Sequence, residues 1–145
     1  MYQEFNTILT KVRRFIEEEI IPLEKGSFIS TWPDMMEILE GKRTKVKALG
    51  LWTPQIPKEW GGLGLTLAQF GQVSEILGLS PYGHYVFNCQ APDSGNMEIL
   101  IEHGTKEQQE QFLKPLLKGE IRSCFSMTEP EFAGSNPVMM GTTGV

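Results

Sequence analysis

Apolar side chains in this chain recur at steps of three and four residues, and that spacing admits little besides a packing of amphipathic helices. Phe5, Ile8, Leu9, Val12, Phe15, Ile16 and Ile20 lie on one such stripe. Glu17, Glu18 and Glu19 fall near its end, where acids do not help the helix dipole. Pro22 is expected to stop this helix, and Gly26 and Ser27 to open a loop. A second helix is expected from Pro33, because a first turn has no use for the N–H that proline lacks. Its apolar face begins with Met35, Met36, Ile38 and Leu39 and continues through Val46 and Leu49 to a cap at Gly50, with Gly41 a candidate interruption. Lys42, Arg43, Lys45 and Lys47 form the one basic cluster. It reads either as a solvated helix face or as a contact for a partner or anion.

The stretch LWTPQIPKEWGGLGL is too rich in proline and glycine for a helix. It reads as an ordered loop pinned to the core by Trp52 and Trp60, either a connector or a wall near a ligand. Thr66 with Gln69, and Thr105 with Gln108, have the spacing of capping boxes. The helix after the first box carries Leu67, Phe70, Val73, Ile76 and Leu77 and ends at Gly78. Pro81 can start a short helix, and Asp93 can cap the next, which carries Met97, Leu100 and Ile101 and stops near Gly104. Phe112, Leu113, Leu116 and Leu117 make a last core stripe, ended by Gly119. Beyond it Ile121 to Met127 alternates and is expected to form a short strand. The turn-rich TEPEFAGSNPVMMGTTGV follows. A strand by itself leaves its edges unpaired, so this one needs a neighbour in this unit, in another chain or in a larger protein.

At 145 residues the chain has the length of one domain, and its apolar fraction of 40% can fill a core. A formal net charge of -5 with scattered Lys and Arg argues against nucleic acid. Cys89 and Cys124 make no disulfide framework and read as buried thiols of a reducing compartment. There is no CxxC, and His84 and His103 lack metal-ligand spacing. No apolar run approaches the ~18 residues of a membrane span. The N-terminus reads as neither a secretory signal nor a transit peptide.

No nucleophile motif is evident, so no residue is assigned a catalytic role. Ser135 lacks a G-x-S-x-G elbow, and neither histidine has a recognisable pairing pattern. Glu129, between Thr128 and Pro130, is either catalytic or orders its turn by accepting backbone or Arg hydrogen bonds. The MTEP turn has another capacity. A strand running into a turn leaves N–H groups unpaired, and Thr128 adds a donor and acceptor on a stiff stem. Together they can grip the edge of a planar heterocycle. Gly134 and Ser135 offer a close backbone approach and a hydroxyl, both suited to a phosphate oxygen. On the residues alone, a cofactor site and a plain structural turn both remain open.

The stretches LWTPQIPKEWGGLGLTLAQFGQVSEILG and FNCQAPDSGNMEILIEHGTKEQQEQFLKPLLKGEIRSCFSMTEPEFAGSN resemble the acyl-CoA dehydrogenase family over nearly the whole chain. The carrying motifs are P-x-x-W/Y-G-G-x-G, then Y/H-G-T-x-E-Q-x-x-x-x-L-x-P-L-L-x-G, then F-x-M-T-E-P. The APDSGN stretch is closest to a subgroup that takes longer or less common acyl chains. The resemblance implies a mainly α fold, an N-terminal helical bundle over residues 1–120, with a short β segment at the C-terminus where residues 121–145 open a truncated β domain. It implies FAD as cofactor, an acyl-CoA substrate oxidised to the trans-2-enoyl thioester, an electron-transfer flavoprotein as electron acceptor, and a homo-oligomer for the full-length enzyme. The expected compartment is the cytoplasm, or the mitochondrion or peroxisome in a eukaryote.

Residue by residue, Phe125 matches an aromatic position near flavin and acyl chain. Met127 matches the position whose backbone meets the ring edge, and Thr128 the threonine near the reactive side of the ring. Glu129 and Pro130 match the turn itself. Gly134 and Ser135 match the step near the FAD pyrophosphate, with Ser135 also near the CoA part of the substrate. Asn136 stands where the family commonly has Asp, and EFA is one residue longer than the shorter form of the motif. The family's glutamate base lies far downstream and nothing here matches it, so the isolated chain is expected to be inactive. The alternative is a non-catalytic helical protein-interaction module derived from the same fold.

Overall fold

The first apolar stripe does form a helix, α1 (Tyr2–Phe15), but it does not stop at Pro22. The helix widens into a π-helical turn, Ile16–Ile20, and runs on as α2 (Ile21–Ser27). The Ile21 N–H bonds the Ile16 carbonyl five residues back. A proline ring in a helix crowds the carbonyl four residues before it, and the wider turn just ahead of Pro22 makes room. These are features of a computed structural model that describes residues 2–27, 31–134 and 136–143.

Helix α3 (Trp32–Ala48) starts where its proline indicated. Thr31 precedes it, with its hydroxyl donating to the Asp34 carboxylate at 2.6 Å. Gly41 does not interrupt it, and it ends on Leu49 and a left-handed Gly50. Its buried face is Met35, Leu39, Arg43 and Val46, whereas Ile38 and Leu49 are exposed. The apolar face is therefore turned from the one expected, and a cation from the basic cluster sits in the core. The loop over residues 51–65 folds back on itself. Ile56 and Leu63 both donate to the Thr53 carbonyl, and Gly64 donates to Ile56 at 2.8 Å. Gly62 is obligatory there, since a Cβ would lie 2.0 Å from the Ile56 carbonyl oxygen.

Five helical pieces follow, namely α4 (Leu67–Leu77), α5 (Gly83–Val86), α6 (Asp93–His103), α7 (Lys106–Gln108) and α8 (Lys114–Lys118). Both capping boxes are present, with Thr66 accepting from the Gln69 N–H and Thr105 from the Gln108 N–H. A second π-helical turn, Gln109–Leu113, joins α7 to α8. Phe112 lies in that turn and is exposed, against the expected core stripe, while Leu113, Leu116 and Leu117 are buried. The core has two parts. The larger packs α1, α3, α4 and α5 around Phe15, Ile16, Leu39, Leu77 and Phe87. The smaller gathers Ile56, Met97, Leu113, Leu116 and Leu117, with Trp60, Leu100 and Ile101 against them.

The expected C-terminal β segment is not there. Among the described residues there is no strand, and residues 122–129 run without a ladder partner. Alternation gives a segment two faces, but strand structure needs a neighbouring backbone to bond to. Here only Arg122 and Ser123 are tied down, by side chains of the bundle. The fold is a mainly α helical bundle.

Candidate functional site

The last four carbonyls of a helix have no partner within it. At the end of α8 they are met by side chains from distant elements. Asn88 donates to Leu116 and Leu117 at 3.1 and 3.3 Å, and the Trp52 indole N–H donates to Leu117 at 2.7 Å. Lys47 donates to Lys118 at 2.7 Å, and Arg43 to Gly119 at 3.3 Å. Arg43 is 1% exposed, also donates to the Tyr85 carbonyl at 2.7 Å, and lies against the rings of Trp52 and Tyr85. Gly119 has φ +72°, and a Cβ there would come within 2.1 Å of the Arg43 guanidinium. These contacts fix where the chain leaves the bundle.

Immediately afterwards the chain is held again. Asp93, 0% exposed at the start of α6, receives the Ser123 N–H at 2.8 Å and the Ser123 hydroxyl at 2.6 Å on Oδ1. Its Oδ2 receives Arg122 Nε and the Gln90 amide. Asn96 on α6 donates to the Ser123 hydroxyl at 2.8 Å, and the Arg122 guanidinium lies 5.0 Å from the Tyr85 ring centre. Burial opposes ionisation of Asp93, but the Ser123 hydroxyl and amide and the Arg122 cation outweigh it and hold the carboxyl below its usual range. Asp93 is not the expected cap of α6: Pro92 occupies that position, and no side-chain bond caps the helix.

Beyond Ser123 the chain forms an exposed lip. Phe125 is 59% exposed, Met127 is 43% exposed, and Thr128 is exposed. The N–H groups of Phe125, Met127 and Thr128 have no backbone partner among the described residues. The Thr128 hydroxyl donates to the Ala133 carbonyl at 3.3 Å and keeps its acceptor capacity. Glu129 and Phe132 exchange backbone hydrogen bonds at 3.0 and 3.2 Å. The Glu129 carboxylate accepts the Gly141 and Thr142 N–H groups at 2.9 Å each, and the Thr142 hydroxyl. These bonds, that from Gly141 first, lower its pKa. Of its two readings, the structure supports the ordering of the turn, with no Arg among its partners. Gly134 is buried at φ +80°, where a Cβ would meet the Met127 carbonyl oxygen at 2.9 Å. Ser135 lies outside the described residues. Asn136 uses its side-chain oxygen locally, accepting the Val138 N–H at 3.2 Å. The lip thus offers an apolar surface, free N–H donors and a hydroxyl, a set that fits one edge of a flat, acceptor-bearing ring.

Other expectations resolve differently. Lys42 and Lys45 pair with Glu19, and Lys47 lies over the Trp52 ring, so the basic cluster makes contacts within the chain. Cys89 is buried, and burial pushes its thiol up to about 12, but Cys124 is exposed on the lip rather than buried. His84 lies 2.7 Å from the Ser74 hydroxyl, a pairing no sequence spacing revealed. Among the described residues, no group of His, Cys, Asp and Glu could hold a metal ion, and no helix is long and apolar enough to cross a membrane. Reading by motif missed Arg43, Tyr85, Asp93 and Arg122 as a set. One signal was available: Arg43 stands four residues after Leu39 and three before Val46, on the apolar face.

Comparison with known proteins gives a consistent result. The family described as "Acyl-CoA dehydrogenase, N-terminal domain" matches residues 3–120. Acyl-CoA dehydrogenase family member 10 of Mus musculus is 42% identical over 133 residues, 85% of this chain and 12% of the mouse protein. Acyl-CoA dehydrogenase family member 11 of Homo sapiens is 36% identical over 138 residues, 89% of this chain and 17% of the human protein. A solved structure of a Mycobacterium abscessus protein assigned to the acyl-CoA dehydrogenases superposes with a TM-score of 0.81 at 37% identity. It covers 93% of this chain and 36% of that one. The chain therefore spans well under half the length of the relatives it matches.

Proposed function

The chain belongs to the acyl-CoA dehydrogenase family, and from that premise we propose that it supplies the helical wall and one edge of the flavin site in an FAD-dependent acyl-CoA dehydrogenase. The observation that carries this reading is the exposed lip from Phe125 to Gly134, with free N–H donors, mounted on the bundle through Arg122 and Ser123. FAD, when bound, supplies the hydride acceptor for oxidation of an acyl-CoA thioester to its trans-2-enoyl form. Phe125 covers the ring edge and the acyl chain. The Met127 backbone and the Thr128 hydroxyl bond the edge of the ring. Gly134 lets the backbone close up towards the pyrophosphate, and Ser135 serves the pyrophosphate and the CoA part of the substrate. Residues 1–120 act as the helical domain, and residues 121–145 lead out of it towards a further domain of a different kind. Electrons pass to an electron-transfer flavoprotein, and the full-length enzyme is a homo-oligomer.

Dehydrogenation also needs a base held within reach of the thioester α-carbon. No residue of this chain matches the family's glutamate, so the 145 residues alone are expected to catalyse nothing. The test is a graft in which this chain replaces the matching segment of the Mycobacterium abscessus relative. A folded graft should carry flavin, and acyl-CoA should bleach it without oxygen. A soluble, folded graft that takes up no flavin would sink the proposal. Substrate-dependent bleaching by the 145-residue chain alone would sink the statement that the base lies elsewhere.

A further inference from the structure

We infer that Asp93 is a positioning residue for the lip: from inside the helical bundle it clamps Arg122 and Ser123 and thereby sets where Phe125, Met127 and Thr128 meet a flat ligand. The inference deepens the flavin reading above and rests on it.

A fully buried carboxylate needs a reason, because its desolvation is costly. Asp93 does not act as the helix cap. Both of its oxygens are occupied, and three of their four hydrogen bonds come from Arg122 and Ser123, about thirty residues downstream. The fourth comes from Gln90, three residues before it in the chain. Its place in the first turn of α6 suits an anion. Asn96 backs Ser123 from the same helix, and Tyr85 backs Arg122. The polar apparatus at this end of α6 therefore converges on two residues of the tail.

Those two residues control the lip by chain length. Phe125 is two residues beyond Ser123, and a chain extends by at most ~3.6 Å per residue. No hydrogen bond holds residues 124–127 among those described. The segment is a short span between two anchors, Asp93 at its start and the Glu129 turn at its end. Releasing the first anchor frees the ring-facing side chains without touching them.

The test compares the unaltered chain with Asp93→Asn, Ser123→Ala and, as a control away from the lip, Thr66→Ala. Amide hydrogen exchange is measured on the 145-residue chain, and flavin affinity on the graft. Asparagine keeps an acceptor for Ser123 but presents a neutral amide to Arg122. In Asp93→Asn, exchange of the Ser123 amide should accelerate by roughly tenfold and flavin affinity fall by roughly tenfold, the worth of a charge-assisted hydrogen bond. Ser123→Ala, which keeps its N–H, should show a smaller change in the same direction. Thr66→Ala should leave both unchanged. If Asp93→Asn does not fold, Ser123→Ala and Arg122→Gln carry the test. Unaltered exchange at residue 123 overturns the clamp. Faster exchange with unaltered flavin affinity overturns the positioning role while leaving the function proposal standing. A folded, unaltered graft that takes no flavin overturns the function proposal and the positioning role with it, and exchange then reports the clamp alone.

Discussion

Individual side chains in this bundle do work that their residue types do not announce. Arg43 belongs to a basic cluster, yet it is 1% exposed and supports the Tyr85 and Gly119 carbonyls. A lysine there would lose the planar fork that reaches several acceptors at once. His84 makes a sharper prediction. Burial pushes its imidazole pKa below the ordinary value, whereas in the unfolded chain it titrates near 6.5. As pH falls through that value, the unfolded chain takes up the proton and the folded chain resists it, so stability declines. The buried carboxyl of Asp93 also has a lowered pKa, but its effect appears only below about pH 4. Urea unfolding at about pH 7.5 and about pH 5.5 should therefore show a loss that His84→Gln removes. An equal loss in the variant would mean that another group is responsible.

Elements were legible where local chemistry closes on itself. Each capping box needs only four consecutive residues, and both formed as read. Thr66→Ala should accordingly cost about 1 kcal/mol, seen as a lower urea midpoint with an unchanged slope. A neutral outcome would mean that tertiary packing, not the cap, starts α4. The helices with π turns were less legible. Pro22 reads locally as a stop, but the helix widens at Ile16–Ile20, just ahead of the proline ring, and runs on with Ile16 and Ile20 both in the core. Phe112 is lost from the expected stripe in the other π turn. The segment from Ile121 to Met127 shows the converse error, since its alternation suggested a strand and no neighbouring backbone completes one.

For the whole molecule the question is how the bundle and the tail depend on one another. Among the described residues the buried apolar side chains end at Leu117, and the family match ends at residue 120. A chain shortened to residues 1–120 should therefore still fold. It would, however, leave the Asp93 carboxylate without Arg122 and Ser123. In the 145-residue chain Asp93→Asn should cost about 2 kcal/mol, the loss of charge-assisted bonds to a half-exposed partner. In the shortened chain the same change should be neutral or stabilising, because it removes a buried charge that has lost its counter-ion. Urea midpoints of the four proteins decide this. Equal destabilisation in both lengths would place the role of Asp93 inside the bundle.

The sequence by itself determined that the chain is a helical bundle with glycine and capping-box boundaries, which family it resembles, and which turn carries the candidate flavin contacts. Those properties depend on neighbours within a few residues, or on motifs read in order along the chain. Only the tertiary structure decided that Arg43 is a core residue, that Asp93 serves the tail rather than its own helix, and that the segment entering the lip is clamped without being a strand. Each of these depends on partners about thirty to eighty residues away. A buried charge is stable only where such partners converge, and no local pattern records where they do.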